Sequence, residues 1–287
     1  PSSFGTTDTS SGAWIPMPYT GTYGANGFYL NFKDNTSTTT IGYDYSGNSN
    51  NWTANNISLT AGTTYDSMLD VPTQWVGYNT GDTSAVTRGN YCTLNPLQKG
   101  TNASATNANL TYSCGTNSTI FSSFGITSGK WYWEIQNPTS RNIIGIAKAT
   151  AGLNTYIGVD ANAYGYYGIN GYKENNGGTA YGATFTTTDI IGVAFDADGG
   201  TLTFYKNNTS QGTAFTGLTS GPYFPAVSDD TLGGATGDFN FGQRPFAYTP
   251  PTGFKSLCTT NLPTPTITNG ANYFAASTYT GTVSYTH

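Results

Sequence analysis

Charge is scarce in this chain: Asp, Glu, Lys and Arg make up only 9% of its 287 residues. Glutamate occurs twice, at Glu134 and Glu174, and histidine once, at His287. Helices draw on Ala, Leu, Glu, Lys and Arg, and most of these are in short supply here. One histidine at the far end excludes a Ser/His/Asp arrangement and leaves a nucleophilic cysteine without a base. Cys92, Cys114 and Cys258 are an odd number without a CxxC pair. Ligands for a zinc site are therefore missing, and the thiols read as small buried side chains, with a Cys92 to Cys258 bridge as the alternative. No apolar run approaches the roughly 20 residues of a membrane-spanning helix, so membrane insertion is not expected. The ten Lys and Arg are scattered from Lys33 to Lys255 within a net charge of −5. Nucleic acid, which needs a clustered basic patch, is not expected as a partner. Pro1 in place of Met fits a segment of a longer polypeptide.

What is present is glycine, with 37 residues, and aromatic side chains, which reach 15% with 22 Tyr. Tyr, Phe, Thr, Val and Ile suit a half-buried pleated surface, and Gly with Asn suits the turns between short strands. The composition predicts an all-β protein.

The pattern divides the chain into three segments. Residues 1–85 are loop-rich, with one expected strand at Phe28-Tyr29-Leu30-Asn31-Phe32 and no evident core, and read as an extension or the end of a preceding β-sandwich. Residues 86–262 carry short strands. In Lys130-Trp131-Tyr132-Trp133-Glu134-Ile135, the residues Trp131, Trp133 and Ile135 share one face, the period-2 signature of a half-buried strand. Asn142-Ile143-Ile144-Gly145-Ile146-Ala147 comes next, then a hairpin in which residues 189–195 meet residues 201–206 across a Gly-rich turn. Residues 248–254, with Pro250 and Pro251, read as an extended closing segment. Residues 263–287 read as a linker toward a following module.

The strands resemble the SPRY family of concanavalin-like sandwiches over roughly residues 90–262. The matching pieces are Gly129 to Ile135, Ile144-Gly145-Ile146-Ala147, Asp189 to Lys206, and Gly221-Pro222-Tyr223-Phe224-Pro225-Ala226-Val227. The resemblance implies an antiparallel β-sandwich of jelly-roll type. The flanks (Phe28 to Phe32, Asp44-Tyr45-Ser46-Gly47-Asn48, Asn51-Trp52-Thr53, Asp66-Ser67-Met68, Asp70-Val71-Pro72-Thr73, and Asn272 to Thr282) resemble segments joined to SPRY domains in tailed-phage structural proteins, often beside a LamG-like sandwich. That likeness implies a bacteriophage virion protein of tail-fibre type, located in the virion and contacting other virion subunits as a homo-oligomer.

Catalysis is not expected. Glycan-cutting enzymes on such sandwiches alternate carboxylates along one strand, whereas Glu134 and Glu174 stand forty residues apart. Asp196 and Asp198 alternate at a hairpin tip, where Asp forms turns. Asp229, Asp230 and Asp238 read as loop residues, with a calcium site as the alternative, and no metal or cofactor is expected. The eight Asn-X-Ser/Thr sequons, among them Asn35, Asn51, Asn109 and Asn207, are accounted for by the abundance of their residue types.

The most suggestive stretch runs from Tyr156 to Tyr181, where tyrosines sit among Gly and Asn, a mixture that makes adaptable contact surfaces. Tyr164, Tyr167, Asn170 and Tyr172 are the candidate contacts to a host-surface glycan or protein, with strand packing as the alternative role for the tyrosines. A purely structural assembly role, a polysaccharide-degrading tailspike and a cellular SPRY domain that binds a short peptide are the rivals. The last fits the Thr, Asn and Gly composition and the flanks poorly.

Overall fold

The computed structural model describes residues 2–7, 14–17, 19–32, 34–60, 62, 64–68, 89–262 and 273–274. The expected elements at residues 70–73 and in the linker from 263 lie outside the described residues, Tyr273 and Phe274 excepted. Two compact units emerge, one of Pro1–Thr60 with Thr64–Ser67 and one of Ala61–Thr63 with Met68–His287.

The first unit pairs β1 (Gly5–Thr7) with β2 (Trp14–Pro16) antiparallel. The strand expected at residues 28–32 is reduced to one bridge, Leu30 to Asp44, because Phe32 enters the left-handed region at φ 53° and ends the extended run. Asp44 organises the turns around residues 44–50. Its carboxylate accepts N–H bonds from Tyr29 and Ser46 at 2.8 Å each and from Asn50 at 2.9 Å. Desolvation raises its pKa, yet these bonds outweigh that and hold it down at about 2.

The second unit contains β3 (Leu94–Lys99), β4 (Ala103–Thr106), β5 (Thr111–Cys114), β6 (Ser118–Ser122), β7 (Lys130–Gln136), β8 (Asn142–Lys148) and β9 (Ala163–Tyr167). It continues with β10 (Tyr172–Glu174), β11 (Gly178–Ala180), β12 (Ile190–Asp196), β13 (Thr201–Lys206), β14 (Thr209–Phe215), β15 (Tyr223–Asp229), β16 (Ala235–Asn240) and β17 (Lys255–Ser256). One sheet runs β11-β10-β9-β8-β15-β6-β3 and the other β14-β13-β12-β7-β16-β5-β4, with β17 joined to β7. Pairing is antiparallel except between β17 and β7. The fold is therefore the all-β antiparallel sandwich expected from the sequence. Trp133, Ile135, Val193, Phe195, Phe204 and Phe239 of one sheet meet Ile144, Ile146, Tyr166, Tyr223 and Val227 of the other in a single core. Cys92, Cys114 and Cys258 are free and buried.

Strand β7 departs from the half-buried expectation, since Tyr132 and Glu134 on its outward face are also buried. Residues 242–254, of which 248–254 were expected to be extended, fold in turns over that face. The Phe246 ring meets Tyr132 edge-on at 5.1 Å, and the Ala247 and Tyr248 amides donate to the Glu134 carboxylate at 2.9 and 3.0 Å. The outer face of the other sheet is closed in the same way. There Phe121, Ile143, Ala147, Tyr167 and Ala226 form a second cluster under Ala151, Leu153, Tyr156 and Ile157. The Leu153 carbonyl accepts from the Thr119 amide at 2.9 Å, and the Ile157 amide donates to the Ser228 hydroxyl at 2.9 Å.

Both glutamates are thus interior. Desolvation raises the Glu134 pKa against the opposing pull of its amide donors. Glu174, 8% exposed, is raised by desolvation alone. It lies close to Gly158, where a Cβ would fall 2.6 Å from the Glu174 Cβ and φ is +108°, so glycine holds that position.

These carboxylates generate two expected outcomes. Glu134→Leu strips the Ala247 and Tyr248 amides of their acceptor and is expected to cost about 1–3 kcal/mol. Urea denaturation reads the loss, and amide exchange should quicken at Ala247 and Tyr248; wild-type stability would remove Glu134 as the anchor of this segment. For Glu174 the folded pKa lies above the ordinary 4.5, so the folded chain binds the proton more tightly. The stability this gives is full below the unfolded pKa and is lost as pH rises through the folded value. Glu174→Gln should therefore melt above wild type at neutral pH and near it in acid; a variant less stable at neutral pH would contradict the assignment.

Candidate functional site

The registers decide which loops meet. Asp229 faces both Asn142 and Ser118, Ile143 faces Tyr167, Ile190 faces Gln136, and Ala235 faces Cys114. Residues 115–117, 137–141, 168–171 and 230–234 therefore gather at one end of the sandwich.

Hydrogen bonds fix these loops to one another. The Asn117 amide donates to the Asp230 carbonyl at 2.7 Å, the Gly168 amide to Asn142 at 3.0 Å and the Thr139 amide to Thr236 at 3.0 Å. Asn142 is fully buried beneath them. Its Nδ2 donates to the carbonyls of Thr139 and Thr236 at 2.8 and 2.9 Å, and its Oδ1 accepts the Tyr112 hydroxyl at 2.6 Å.

The four candidate contacts do not form one surface. Tyr164 and Tyr167 point to opposite sides of β9, as period 2 requires. Tyr164 is half-buried, edge-on to Phe215 at 5.2 Å and to Tyr223 at 6.0 Å. Tyr167 is only 8% exposed and belongs to the cluster under residues 151–157. Its hydroxyl donates to Asp230 Oδ2. Its pKa is raised by burial first and by Asp230 second, with Arg141 pulling the other way. Packing has thus withdrawn the ring from solvent and given it a positioning role. Asn170 is exposed, its Oδ1 accepting the Tyr172 amide at 2.9 Å, and Tyr172 is exposed on the first residue of β10.

Ile169, Leu232 and Arg141 complete this end and were not singled out in the sequence. Of the five large apolar side chains exposed within residues 89–262, three (Ile169, Tyr172 and Leu232) stand here, which makes it the most apolar loop region of the sandwich. The Leu232 amide is held by Asp230 Oδ1 at 2.8 Å. A lone apolar residue between Thr231 and Gly233, among turn formers, was the available signal for Leu232. Arg141 carries a buried Nη1 with no hydrogen-bond partner.

The acidic residues of this end serve as turn and strand anchors. Asp229, fully buried, accepts from the Gly233 amide at 2.8 Å and the Ala235 amide at 2.5 Å. Asp238 accepts from the Thr111 hydroxyl at 2.5 Å and Asn137 Nδ2 at 3.1 Å. Among the described residues no group of three or more His, Cys, Asp or Glu is placed to hold a metal ion. Asp196 and Asp198 do turn work at the hairpin tip, accepting from Gly199 at 2.8 Å and Gly129 at 2.9 Å.

Residues 130–244 match the SPRY domain. Ran-binding protein 9 of Xenopus laevis is 38% identical over 126 residues, which are 42% of this chain and 23% of that protein. Ran-binding protein 10 of Danio rerio is 39% identical over 107 residues, 37% of this chain and 17% of that protein. Human Ran-binding protein 9 is 39% identical over 107 residues, 37% of this chain and 14% of that protein. The chain therefore spans less than a quarter of the length of these curated relatives. The solved SPRY domain of human HERC1 superposes with a TM-score of 0.45 at 18% identity, covering 51% of this chain and 96% of that one. The relatives are proteins of eukaryotes, and they overturn the expectation of a bacteriophage tail-fibre protein with virion subunits and a host-surface glycan as partners and the virion as its location. The phage reading rested on flanks rich in Thr, Asn and Gly, a composition that many unrelated loops share, whereas the SPRY match lies within the sandwich. The SPRY match therefore falls within the antiparallel sandwich, whose strands run from Leu94 to Ser256, and supports its SPRY, concanavalin-like fold.

Proposed function

We propose that the sandwich is a non-catalytic protein-interaction module that takes a short peptide segment of a partner protein at the loop end bearing Ile169, Tyr172 and Leu232. The observation that carries this reading is the exposure of three apolar side chains, two on loops held in place by hydrogen bonds and one at the start of β10. Apolar anchors on a fixed frame are what peptide recognition uses, because little ordering is lost on binding. The centre of each sheet face offers less, since β7 on one sheet and β8, β9 and β15 on the other are covered by the chain itself. Asn170 and Tyr172 remain as contacts, with Tyr167 beneath them. The matched relatives are named for binding Ran, which supports a protein as the partner class and makes Ran itself a first probe.

Peptides selected from a random-peptide library on the folded chain provide the test. Leu232→Asp and Ile169→Asp are each expected to weaken the selected peptides about tenfold or more with the melting temperature unchanged. Peptides held equally well by both variants would place the interface elsewhere.

A further inference from the structure

We propose that Glu174 receives a basic side chain of the partner, so that the peptide bound carries a Lys or Arg beside the residue that packs on Tyr172. The inference rests on the interaction reading above through Tyr172, which both share, and names the chemistry of the partner.

The register of β10 decides which of its residues face outward. Lys173 stands opposite Tyr166 of the core and so turns inward, its Nζ donating to the Ala214 carbonyl at 2.8 Å and lying over the Phe215 ring. Tyr172 and Glu174 take the outer face, about 7 Å apart along the strand. Glu174 is opposite Gly165 on β9 and Gly178 on β11. From the covering loop Gly158 comes against it as well. A Cβ on Gly178 would fall 2.6 Å from its Oε1 and one on Gly158 3.2 Å from its Oε2. The carboxylate is thus flanked by positions that carry no side chain.

Four carboxylates are buried among the described residues, and three of them are bonded. Glu134 takes the amides of Ala247 and Tyr248, and Asp229 those of Gly233 and Ala235. Asp189 takes the Thr186 amide and pairs with Lys206. Glu174 differs, since no described residue donates to it, yet neither of its oxygens is sealed from solvent. Its side chain is enclosed along its length and open at its tip. A carboxylate desolvated without donors works against the fold, a cost that functional positions carry. A cation arriving there gains a charge-assisted bond to an acid whose desolvation accompanied folding. Val159, next to Gly158, and Tyr172 are both exposed. They offer apolar ground to the methylene stem of a Lys or Arg whose head group reaches the carboxylate. The net charge of −5 favours the approach of such a partner.

The test is selection of a random-peptide library on wild type and on Glu174→Gln, each with its melting temperature measured. Wild type should enrich one position in Lys or Arg. Changing that residue to Met in the peptide should weaken binding to wild type about tenfold or more and leave binding to Glu174→Gln unchanged. The variant should melt no lower than wild type, which separates lost recognition from lost folding. Val159→Lys, at an exposed position beside the carboxylate, should weaken the same peptides by repulsion and decides if Glu174→Gln does not fold. Peptides without a basic preference that are still lost on Leu232→Asp would sink the role of Glu174 and keep the loop-end interface. Basic peptides lost on Glu174→Gln yet indifferent to Leu232→Asp would keep Glu174 and overturn the loop-end reading. No enrichment on wild type would overturn both.

Discussion

Strand β7 has no face open to water, and much of the second unit is shaped by that constraint. Trp133 and Ile135 turn inward to the sandwich core, so Tyr132 and Glu134 must turn outward, where a carboxylate under an apolar cover needs donors. The amides of Ala247 and Tyr248 supply them, and that pairing brings residues 242–254 back across the sheet. The same segment then adds β17 alongside Trp131 and Tyr132 in parallel, which closes β7 beyond the reach of β16. On the other sheet Leu153 and Ile157, bonded to Thr119 and Ser228, do the equivalent work. With the centre of each outer face covered, the exposed apolar side chains are concentrated at one loop end.

The strands were legible in the sequence because their inward residues keep a strict period of two. Ile191, Val193 and Phe195 alternate, Leu202 and Phe204 alternate, and the turn from Asp196 to Gly200 has the residues a tight hairpin needs, so their pairing could be read directly. The covers were not legible. Tyr132 and Glu134 look like a solvent face until residues more than a hundred positions away are placed on them, and local periodicity holds no information about such distant partners. The stretch from Phe28 to Phe32 erred in the opposite sense. Its aromatic residues have high strand propensity, but propensity reports packing on a pleated surface; here Phe28 packs on Trp52 and Tyr29 on Tyr23, and the one β-bridge is that of Leu30 with Asp44.

The tyrosine stretch shows where residue type stops informing. Composition drew attention to Tyr164, Tyr167, Asn170 and Tyr172 together, yet alternation along β9 had already divided Tyr164 from Tyr167. What composition missed is that the ring of Tyr167 is roofed by residues 151–157, leaving its hydroxyl to hold Asp230. The apolar contacts then come from Ile169 and Leu232, residues ordinary enough to draw no notice in sequence and conspicuous only by being exposed on ordered loops.

An interaction end built this way is ordered before a partner arrives. Asn142 bonds the turn at Thr139 to β16 at Thr236 and to the Tyr112 hydroxyl, so the loops do not have to be ordered by a partner and little of the binding energy is lost in fixing them. Ile169, Tyr172 and Leu232 supply apolar area, which attracts without much discrimination. The fixing of the loops by Asn142 is therefore as much a part of the proposed interface as the side chains the loops expose, since the exposed groups alone would have to be ordered on binding.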